Sequence, residues 1–405
     1  MSFYSGSQIE LSTGTIITAL LSGGSFSQVY LCRHTVLSQA LKSTYRAIKV
    51  YPRESSKLRS QRIISEKTVL LRTVLFACPY IIKLLSTEKD DKYLYFVLEA
   101  YQCGSLNFHI RDSPCAKLPT VIARNYATEI VSALNCLMKC GCIHRDIKPA
   151  NLIVDGTGHL KLCDFGASKI LFAQDDYNNI INDDPISCAK TYTIIGTMQY
   201  MAPEIIARSY GYSTHIDWWA LGVVLFEMLC GVPPTFKNIP LPPKDNNITA
   251  TMNGTWPDEE ISSVALNAIN KSQKLIFNDG CGHQVHSDFC HYQSTISKLD
   301  PWNPVLSESD FAALYETELS RFGWDLIQKL LIPNPAERLG PWSIERIQNH
   351  PFFHSVNWED VDAGRSNEPD IEFNKSLGFL DLIDALDDNR SVEANFVNEN
   401  LFEGF

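Results

Sequence analysis

The residues best suited to chemistry lie in short polar segments along the first half of the chain. Residues 144–151 read HRDIKPAN, and residues 164–166 read DFG. Upstream, Lys49 lies within an apolar run and Glu66 lies within a helical pattern. Carboxylate and amide oxygens are the ligands that Mg²⁺ prefers, and lysine binds phosphate. These residue types suit transfer of a phosphoryl group, a reaction that depends on positioning and on neutralising charge.

The order and spacing of these segments resemble the signature of protein kinases. In this chain the signature runs from residues 47–49 (AIK) and Glu66, through HRDIKPAN and DFG, to residues 202–204 (APE). A single lysine, glutamate or DFG triplet carries little weight, because most such residues are ordinary surface charges. Five elements in the same order are specific, and their joint presence indicates a kinase.

The resemblance gives roles to the residues that meet the acceptor and the metal. Asp146 is expected to orient the acceptor hydroxyl and take its proton, and Lys148 to reach the γ-phosphate. Asp164 and Asn151 are expected to hold Mg²⁺ through oxygen atoms. Together with residues 196–197 (GT), Lys148 favours serine and threonine over tyrosine as the acceptor. The implied partners are therefore protein substrates.

The resemblance also implies an ATP site between two lobes. Lys49 would hold the α- and β-phosphates, and Glu66 would pair with Lys49 and report whether its helix is docked. Glu99 and Tyr101 lie in the segment that joins the lobes. The apolar residues expected around the adenine are Leu21, Val29, Ala47, Leu98 and Ile153.

The glycine-rich loop departs from the family pattern, which has glycines spaced G-x-G-x-x-G. Residues 22–27 read SGGSFS, so that of Ser22, Gly23 and Gly24 only Gly24 keeps its place. Glycines there let backbone N–H groups approach phosphate closely. We predict a working loop because the catalytic residues are intact. The alternative is a pseudokinase scaffold with weak nucleotide binding.

More specific pieces resemble the A, G and C group of serine/threonine kinases. They are residues 217–222 (DWWALG), 338–340 (RLG), 350–353 (HPFF) and 356–358 (VNW). Parts of the chain resemble phosphoinositide-dependent kinase and others resemble cyclic-AMP-dependent kinase, so the subfamily stays open. The resemblance also implies a buried ion pair between Glu204 and Arg338.

The predicted fold class is α+β, with the two lobes of a protein kinase. A small β-rich lobe is expected over residues 11–101 and a larger helical lobe over residues 102–354. The helical lobe carries polar inserts at about 171–190 and 237–310, and residues 355–405 form a C-terminal tail.

Sequence patterns predict where the strands and helices of these two lobes lie. Short β-branched and aromatic runs predict strands at 29–32, 45–51 and 93–99. Ile63, Leu70, Leu71 and Val74 recur at helical spacing and predict a helix over 57–74. Further helices are predicted at the ranges 121–139, 213–230 and 322–331.

Two features suggest regulation. Arg145 precedes the catalytic aspartate and predicts a basic pocket for a phosphate on Thr193, added by an upstream activating kinase. Residues 402–405 (FEGF) resemble the hydrophobic motif that ends this group of kinases, with two phenylalanines that could fill an apolar groove beside the Glu66 helix. Burying such aromatic rings is sufficient to bias a two-state helix.

Substrate selection is predicted to differ from the basophilic members of the group. Those kinases hold an upstream arginine with acidic residues at positions that are Ser105 and Ala150 here, whereas Glu227 is retained. Losing two carboxylates removes charge-assisted pairing with arginine. We therefore predict a weaker arginine preference.

The composition of the chain limits which partners and which cellular locations are expected. The chain of 405 residues has a formal net charge of −11, which makes nucleic acid a poor partner. Its most apolar stretch, residues 218–226, is too short to span a bilayer, and the start lacks the basic region of a signal peptide. We predict a cytoplasmic location, with a nuclear location as a second possibility for part of the protein.

The cysteines support two further hypotheses. With no secretory signal, the 12 cysteines are expected to be reduced thiols rather than a disulfide framework. Cys163, directly before Asp164, is placed either in the nucleotide cleft or in the core. A zinc site is a minor hypothesis for the cluster of Cys281, His283, His286, Cys290 and His291, whose spacing matches no common zinc finger.

Overall fold

A computed structural model describes most of the two predicted lobes. The described residues are 15–23, 27–34, 44–53, 57–101, 103–113, 116–172, 190–207, 211–234, 317–340 and 344–365. Several predictions lie outside these residues: Gly24, most of both inserts, the cluster from Cys281 to His291, and the terminal motif at 402–405.

The first part of the chain forms a five-stranded antiparallel sheet in the order β1-β2-β3-β5-β4. Its strands are β1 (Thr15–Gly23), β2 (Gln28–His34), β3 (Thr44–Pro52), β4 (Leu84–Lys89) and β5 (Tyr93–Glu99). Alternate residues face opposite sides, as the two-residue period of a strand requires. Ile48 and Val50 of β3 join one apolar cluster and Ala47 joins the main core. Lys49 therefore faces the main core and the cleft.

One long helix, α1 (Lys57–Leu75), packs between this sheet and the rest of the molecule. Glu66, Val69 and Leu70 are buried, whereas Leu71 and Val74 are 46% and 41% exposed. The predicted helix is present, but the predicted apolar face is partly wrong. The buried side includes the charged Glu66, so hydrophobic spacing alone misplaces it.

The larger part of the molecule is helical. Its helices are α2 (Leu106–Asp112), α3 (Thr120–Lys139), α4 (Pro203–Ala207), α5 (His215–Cys230), α6 (Glu318–Leu330), α7 (Ile344–Gln348) and α8 (Trp358–Asp362). Almost all of α5 is buried, which explains its continuous apolar sequence. A Cβ on Gly222 would lie 2.9 Å from Leu330 and Leu331, so glycine permits the close approach of α5 and α6.

The start of α6 differs from the prediction and has a local cause. The structure begins this helix at Glu318 rather than at 322, after a capping box. Thr317 Oγ1 accepts a hydrogen bond from the Ser320 amide at 3.0 Å, and Ser320 Oγ accepts one from the Thr317 amide at 2.8 Å. Such reciprocal bonds satisfy amides that the first helical turn leaves without partners.

Two small β-ladders position the polar segments. β6 (Cys142–Ile143) pairs with β9 (Lys169–Ile170), and β7 (Leu152–Val154) pairs with β8 (Leu160–Leu162). The HRDIKPAN segment joins β6 to β7, and the DFG segment joins β8 to β9. The ladders thus bring both segments to one side of the helical part. The bilobal α+β prediction is confirmed.

Two further observations concern the membrane and the cysteines. None of the helices in the described ranges is long and apolar enough to cross a membrane. The expectation that every cysteine is reduced is wrong, because Cys78 and Cys136 are joined by a disulfide. Their Cα atoms lie 6.1 Å apart, within the range that a disulfide spans. The two residues are 58 positions apart, a proximity that only the fold creates.

Candidate active site

The cleft between the two parts contains an ionic cluster in which Lys49 and Glu66 are buried and the Asp164 carboxylate is exposed. Lys49 Nζ lies 2.8 Å from Glu66 Oε1 and 2.8 Å from Asp164 Oδ1. The second oxygen of Glu66 accepts a hydrogen bond from the Tyr51 hydroxyl at 2.6 Å. Burial alone would lower the pKa of Lys49, but the two carboxylates outweigh it and raise that pKa. The lysine is therefore a fixed cation, held from opposite sides by the sheet, α1 and the DFG segment.

The surroundings of Asp164 favour the ionised form of its carboxyl group. Its backbone is left-handed, with a φ of 57°, and Oδ1 accepts a hydrogen bond from the Gly166 amide at 3.3 Å. The Lys49 ammonium holds the pKa of this carboxyl well below its usual range. A carboxylate that stays ionised at neutral pH is a suitable ligand for a hard divalent cation.

The HRDIKPAN segment folds around Asp146. Asp146 Oδ2 lies 2.9 Å from Lys148 Nζ and accepts from Asn151 Nδ2 at 3.0 Å. Asp146 Oδ1 accepts from the amide and the hydroxyl of Thr197, at 2.9 and 2.8 Å. Lys148 Nζ also donates to Thr197 Oγ1 at 2.8 Å. The aspartate is therefore oriented by four donors, and Thr197 closes the network from the segment ahead of α4.

Two observations bear on a magnesium site. The amide nitrogen of the buried Asn151 donates to the Asp146 carbonyl at 2.8 Å as well as to the Asp146 carboxylate, which assigns the other amide atom as an acceptor oxygen. Asp164 and Asn151 are carried on loops whose backbones meet, since the Cys163 amide donates to the Asn151 carbonyl at 2.9 Å. A carboxylate and an amide oxygen on adjoining loops fit the donor set that Mg²⁺ prefers.

Asp217, at the start of α5, holds the backbone of the catalytic segment. Its carboxylate accepts from the His144 amide at 2.8 Å and from the Arg145 amide at 2.9 Å. Arg145 has a φ of 70°, a conformation that costs energy for a residue with a side chain. Burial raises the pKa of the Asp217 carboxyl. In the sequence, Asp217 stands out only as part of the DWWALG motif, because its positioning role depends on backbone amides 72 and 73 positions away.

Gly196 is required by close packing against that same segment. Its φ is 108°, and a Cβ there would collide with the Arg145 carbonyl oxygen. Only glycine adopts this conformation without strain. The contact fixes Thr197 beside Asp146, which explains the GT pair that precedes the APE segment.

The cleft is lined by a mixture of predicted and unpredicted residues. Of the predicted nucleotide-binding residues, Val29, Ala47, Leu98, Lys49 and Asp164 line it. It is also lined by Ser27, Glu66, Leu70, Ile82, Cys163 and Phe165. Cys163, predicted to lie either in the cleft or in the core, has both properties: the residue is buried and lines the cleft.

The remaining predicted nucleotide residues lie around the cleft. Leu21 and Ile153 are buried in the same core cluster as Ala47. Glu99 and Tyr101 bond to each other through the tyrosine hydroxyl, so those side chains are engaged within the connecting segment. Ser22 and Gly23 belong to the end of β1, where they pair with β2 opposite Val29 and Gln28. Residue type alone is weak evidence for nucleotide binding at these positions, because each of these residues also fits ordinary packing.

The predicted pair of Glu204 and Arg338 is present and buried. Arg338 donates from Nη1 to Glu204 Oε1 at 2.6 Å and from Nη2 to Oε2 at 2.9 Å. The pair anchors the APE segment to the RLG segment. It lies among hydrogen bonds to main-chain carbonyls, including that of His215 at 3.0 Å.

Comparison with known proteins adds the family. The protein kinase domain family matches residues 17–353, which is most of the chain. A probable serine/threonine-protein kinase of Dictyostelium discoideum is 29% identical over 353 residues, covering 84% of this chain and 64% of that protein. The serine/threonine-protein kinase YPK1 of Saccharomyces cerevisiae is 29% identical over 342 residues, covering 84% of this chain and 38% of that protein.

A third relative is more similar over a shorter range. The cAMP-dependent protein kinase, catalytic subunit-like, of Caenorhabditis elegans is 36% identical over 233 residues, covering 57% of this chain and 50% of that protein. The chain thus spans between about a third and two thirds of the length of these curated relatives.

Proposed function

This chain belongs to the protein kinase family, and on that premise we propose that it transfers the γ-phosphoryl group of ATP to serine and threonine hydroxyls of protein substrates. The observation that carries the proposal is the contact of Lys49 with both Glu66 and Asp164 at 2.8 Å. This contact aligns three elements, β3, α1 and the DFG segment, in one arrangement. It favours an enzyme over a pseudokinase scaffold, since a scaffold does not require this alignment.

Each residue then has a task that follows from its position. Magnesium-bound ATP supplies the phosphoryl group and a charge that offsets its oxygens. Lys49 would bind the phosphates nearest the ribose, and Asp164 with Asn151 would hold the cation. Asp146 would accept the proton of the acceptor hydroxyl. Lys148, 2.9 Å from Asp146, would offset negative charge that develops between acceptor and donor.

We also propose that a phosphate on Thr193 activates the enzyme. Thr193 is exposed, and its carbonyl accepts a hydrogen bond from the Tyr212 hydroxyl, which lies 3.4 Å from Arg145 Nη1. Burial first and then the Arg145 charge lower the pKa values of Arg62 and Lys169. Lys169 Nζ donates to the Thr191 hydroxyl at 3.0 Å, so Arg145 and Lys169 both reach the segment that carries Thr193. A phosphothreonine, which adds two to three charge-assisted hydrogen bonds, would relieve their repulsion.

Replacing Thr193 with alanine should lower kcat/KM by roughly ten-fold or more, because each charge-assisted bond is worth about one decade of equilibrium constant. The measurement is peptide phosphorylation by the wild type and the variant, both purified after exposure to an upstream kinase. Phosphatase treatment should bring the wild type down to the level of the variant. Equal turnover before and after phosphatase would rule out this mode of activation.

Substrate choice should show a weak preference for upstream arginine. Ser105 is buried, and its hydroxyl caps α2 by accepting from the Phe108 amide, so it offers no carboxylate to a substrate. Ala150 likewise offers none. Glu227 remains, with Oε2 accepting from the Tyr200 hydroxyl at 2.6 Å. A single carboxylate already shared with a tyrosine binds arginine less well than three would.

A peptide array tests this directly. Wild-type enzyme should select upstream arginine less than about ten-fold over alanine, and Ala150→Glu should increase that selection by about ten-fold. Ala150→Gln is the matched control, with the same length and no charge, and should leave the profile unchanged. A wild-type profile dominated by arginine three residues before the acceptor would contradict the prediction.

The upstream kinase, the groove for residues 402–405 and the cytoplasmic or nuclear location remain predictions from the sequence, as do the domain boundaries.

A further inference from the structure

A cluster of three cysteines lies between the end of α1 and the last turn of α3. The Sγ atoms of Cys78, Cys136 and Cys140 all lie within 4.8 Å of one another. Cys78 follows the end of α1, Cys136 lies in α3, and Cys140 caps α3 one turn later. The phosphoryl-transfer chemistry uses none of them.

We infer that these three cysteines form a thiol–disulfide switch, which ties the end of α1 to α3 under oxidising conditions and releases it under reducing conditions. Cys78 and Cys136 are the joined pair, with Cα atoms 6.1 Å apart. Cys140 is the reserve partner, since its Sγ is near enough to take the place of Cys136. Cys78 is therefore indispensable, whereas the two cysteines of α3 can substitute for one another.

The burial of the three cysteines indicates the order in which they react with an oxidant. Cys136 is half-buried, whereas Cys78 and Cys140 are buried. A hydroperoxide therefore reaches Cys136 first and oxidises its thiol to a sulfenic acid, with release of one water from hydrogen peroxide. The Cys78 sulfur then displaces the sulfenic oxygen as a second water, and the disulfide forms. Burial raises the pKa of the Cys140 thiol to about 12 despite the nearby Arg72, so Cys140 reacts more slowly.

A zinc site is the competing interpretation of three thiols. Structural zinc sites close their shell with four protein ligands. Among the described residues, no fourth histidine, cysteine or carboxylate joins this group. The disulfide also consumes two of the three sulfurs. These observations favour redox chemistry over metal binding.

The switch acts on a joint that already holds the two parts together. Arg72, near the end of α1, donates to the Cys140 carbonyl at 2.8 Å and to the Phe172 carbonyl at 2.9 Å. The segment after Cys78 is held by Leu162, whose amide donates to the Tyr80 carbonyl at 2.8 Å. A covalent link at this joint holds α1 in the position that pairs Glu66 with Lys49. This consequence for activity rests on the proposed kinase function, whereas the link itself does not.

The test compares reduced and peroxide-treated full-length chain by peptide mapping without reductant and by thermal unfolding. Oxidised wild type should contain the Cys78–Cys136 link and unfold about 2–6 °C above the reduced form. Cys78→Ser should form no link between α1 and α3 and show no shift. Cys136→Ser should form the Cys78–Cys140 link more slowly, and Cys230→Ser, a half-buried cysteine elsewhere, should match the wild type.

Several outcomes would overturn the inference. Free thiols at Cys78 and Cys136 after peroxide would do so, as would stoichiometric zinc in the reduced protein that disappears in Cys140→Ser. A Cys136→Ser chain that never links would reject the reserve role. The main comparison is between the oxidised and the reduced wild type. It therefore does not depend on whether any variant folds. If the link forms but kinase activity is the same in both states, the switch does not control α1.

Discussion

Replacing Asp146 with asparagine should lower kcat by roughly 10²–10⁴-fold while leaving the protein folded. The side chain accepts four hydrogen bonds, from Asn151, from the ammonium of Lys148 and twice from Thr197. Asparagine has the same shape and can accept some of these bonds, but it cannot take the proton of the acceptor hydroxyl. The loss should therefore appear in turnover, with the KM for ATP and the melting temperature changed little.

The matched control is Asp91→Asn, which removes an exposed carboxylate on the sheet side of the molecule. It should leave kcat unchanged. Steady-state rates with saturating ATP and a protein acceptor provide the measurement. An Asp146→Asn enzyme within about three-fold of wild-type kcat would show that proton removal by this carboxylate is not part of the reaction.

Glu204→Gln should be among the most destabilising single changes in the molecule. Arg338 is fully buried, and its guanidinium also donates to the carbonyls of Ile332 and Pro333, at 2.9 and 3.2 Å. Removing the carboxylate leaves a buried cation without its counter-charge, which costs about 3–5 kcal/mol. For a chain of 405 residues that corresponds to a fall of about 4–6 °C in melting temperature.

The control is a carboxylate–guanidinium pair at the surface. Asp360 Oδ1 accepts from Arg365 Nη2 at 2.9 Å and from Arg365 Nε at 3.1 Å, and both side chains are exposed. Asp360→Asn should cost no more than about 1 kcal/mol, because exposed pairs are solvated in both states. Equal losses for Glu204→Gln and Asp360→Asn in thermal unfolding would show that burial does not govern the strength of the Glu204–Arg338 pair.

The same pair predicts a dependence on pH. Burial would raise the pKa of Glu204, but the Arg338 guanidinium outweighs it and holds the pKa below the ordinary value for glutamate. A carboxyl whose pKa is lowered by folding stabilises the protein above its unfolded pKa. That stabilisation is lost as the pH falls through the lowered pKa. The melting-temperature difference between wild type and Glu204→Gln should therefore be full at neutral pH and shrink in acid.

The sequence predicts the residues of the site better than their surroundings. Lys49, Glu66, Asp146 and Asp164 are identifiable because several motifs occur in fixed order, although no motif alone is specific. Strands β3 and β5 are identifiable from β-branched and aromatic runs. The buried side of α1 is predicted less well, because a buried glutamate replaces an apolar residue at the centre of that face.

Long-range contacts explain most of what the sequence leaves out. Cys163 and Phe165 line the cleft only because β8 and β9 turn the DFG segment toward β3. Asp217 supports the catalytic segment from 72 positions away, through backbone amides that carry no side-chain signal. The link between Cys78 and Cys136 depends in the same way on α1 and α3 meeting. Pairings of this kind are set by the packed fold and not by local spacing.

The most direct test of the kinase account is transfer of radiolabelled γ-phosphate from magnesium-bound ATP to a generic protein acceptor, followed by identification of the labelled amino acid. Wild-type protein should label serine and threonine, and Asp146→Asn should label neither above background. Folded wild-type protein that transfers no label to any acceptor, or that labels tyrosine alone, would contradict the account.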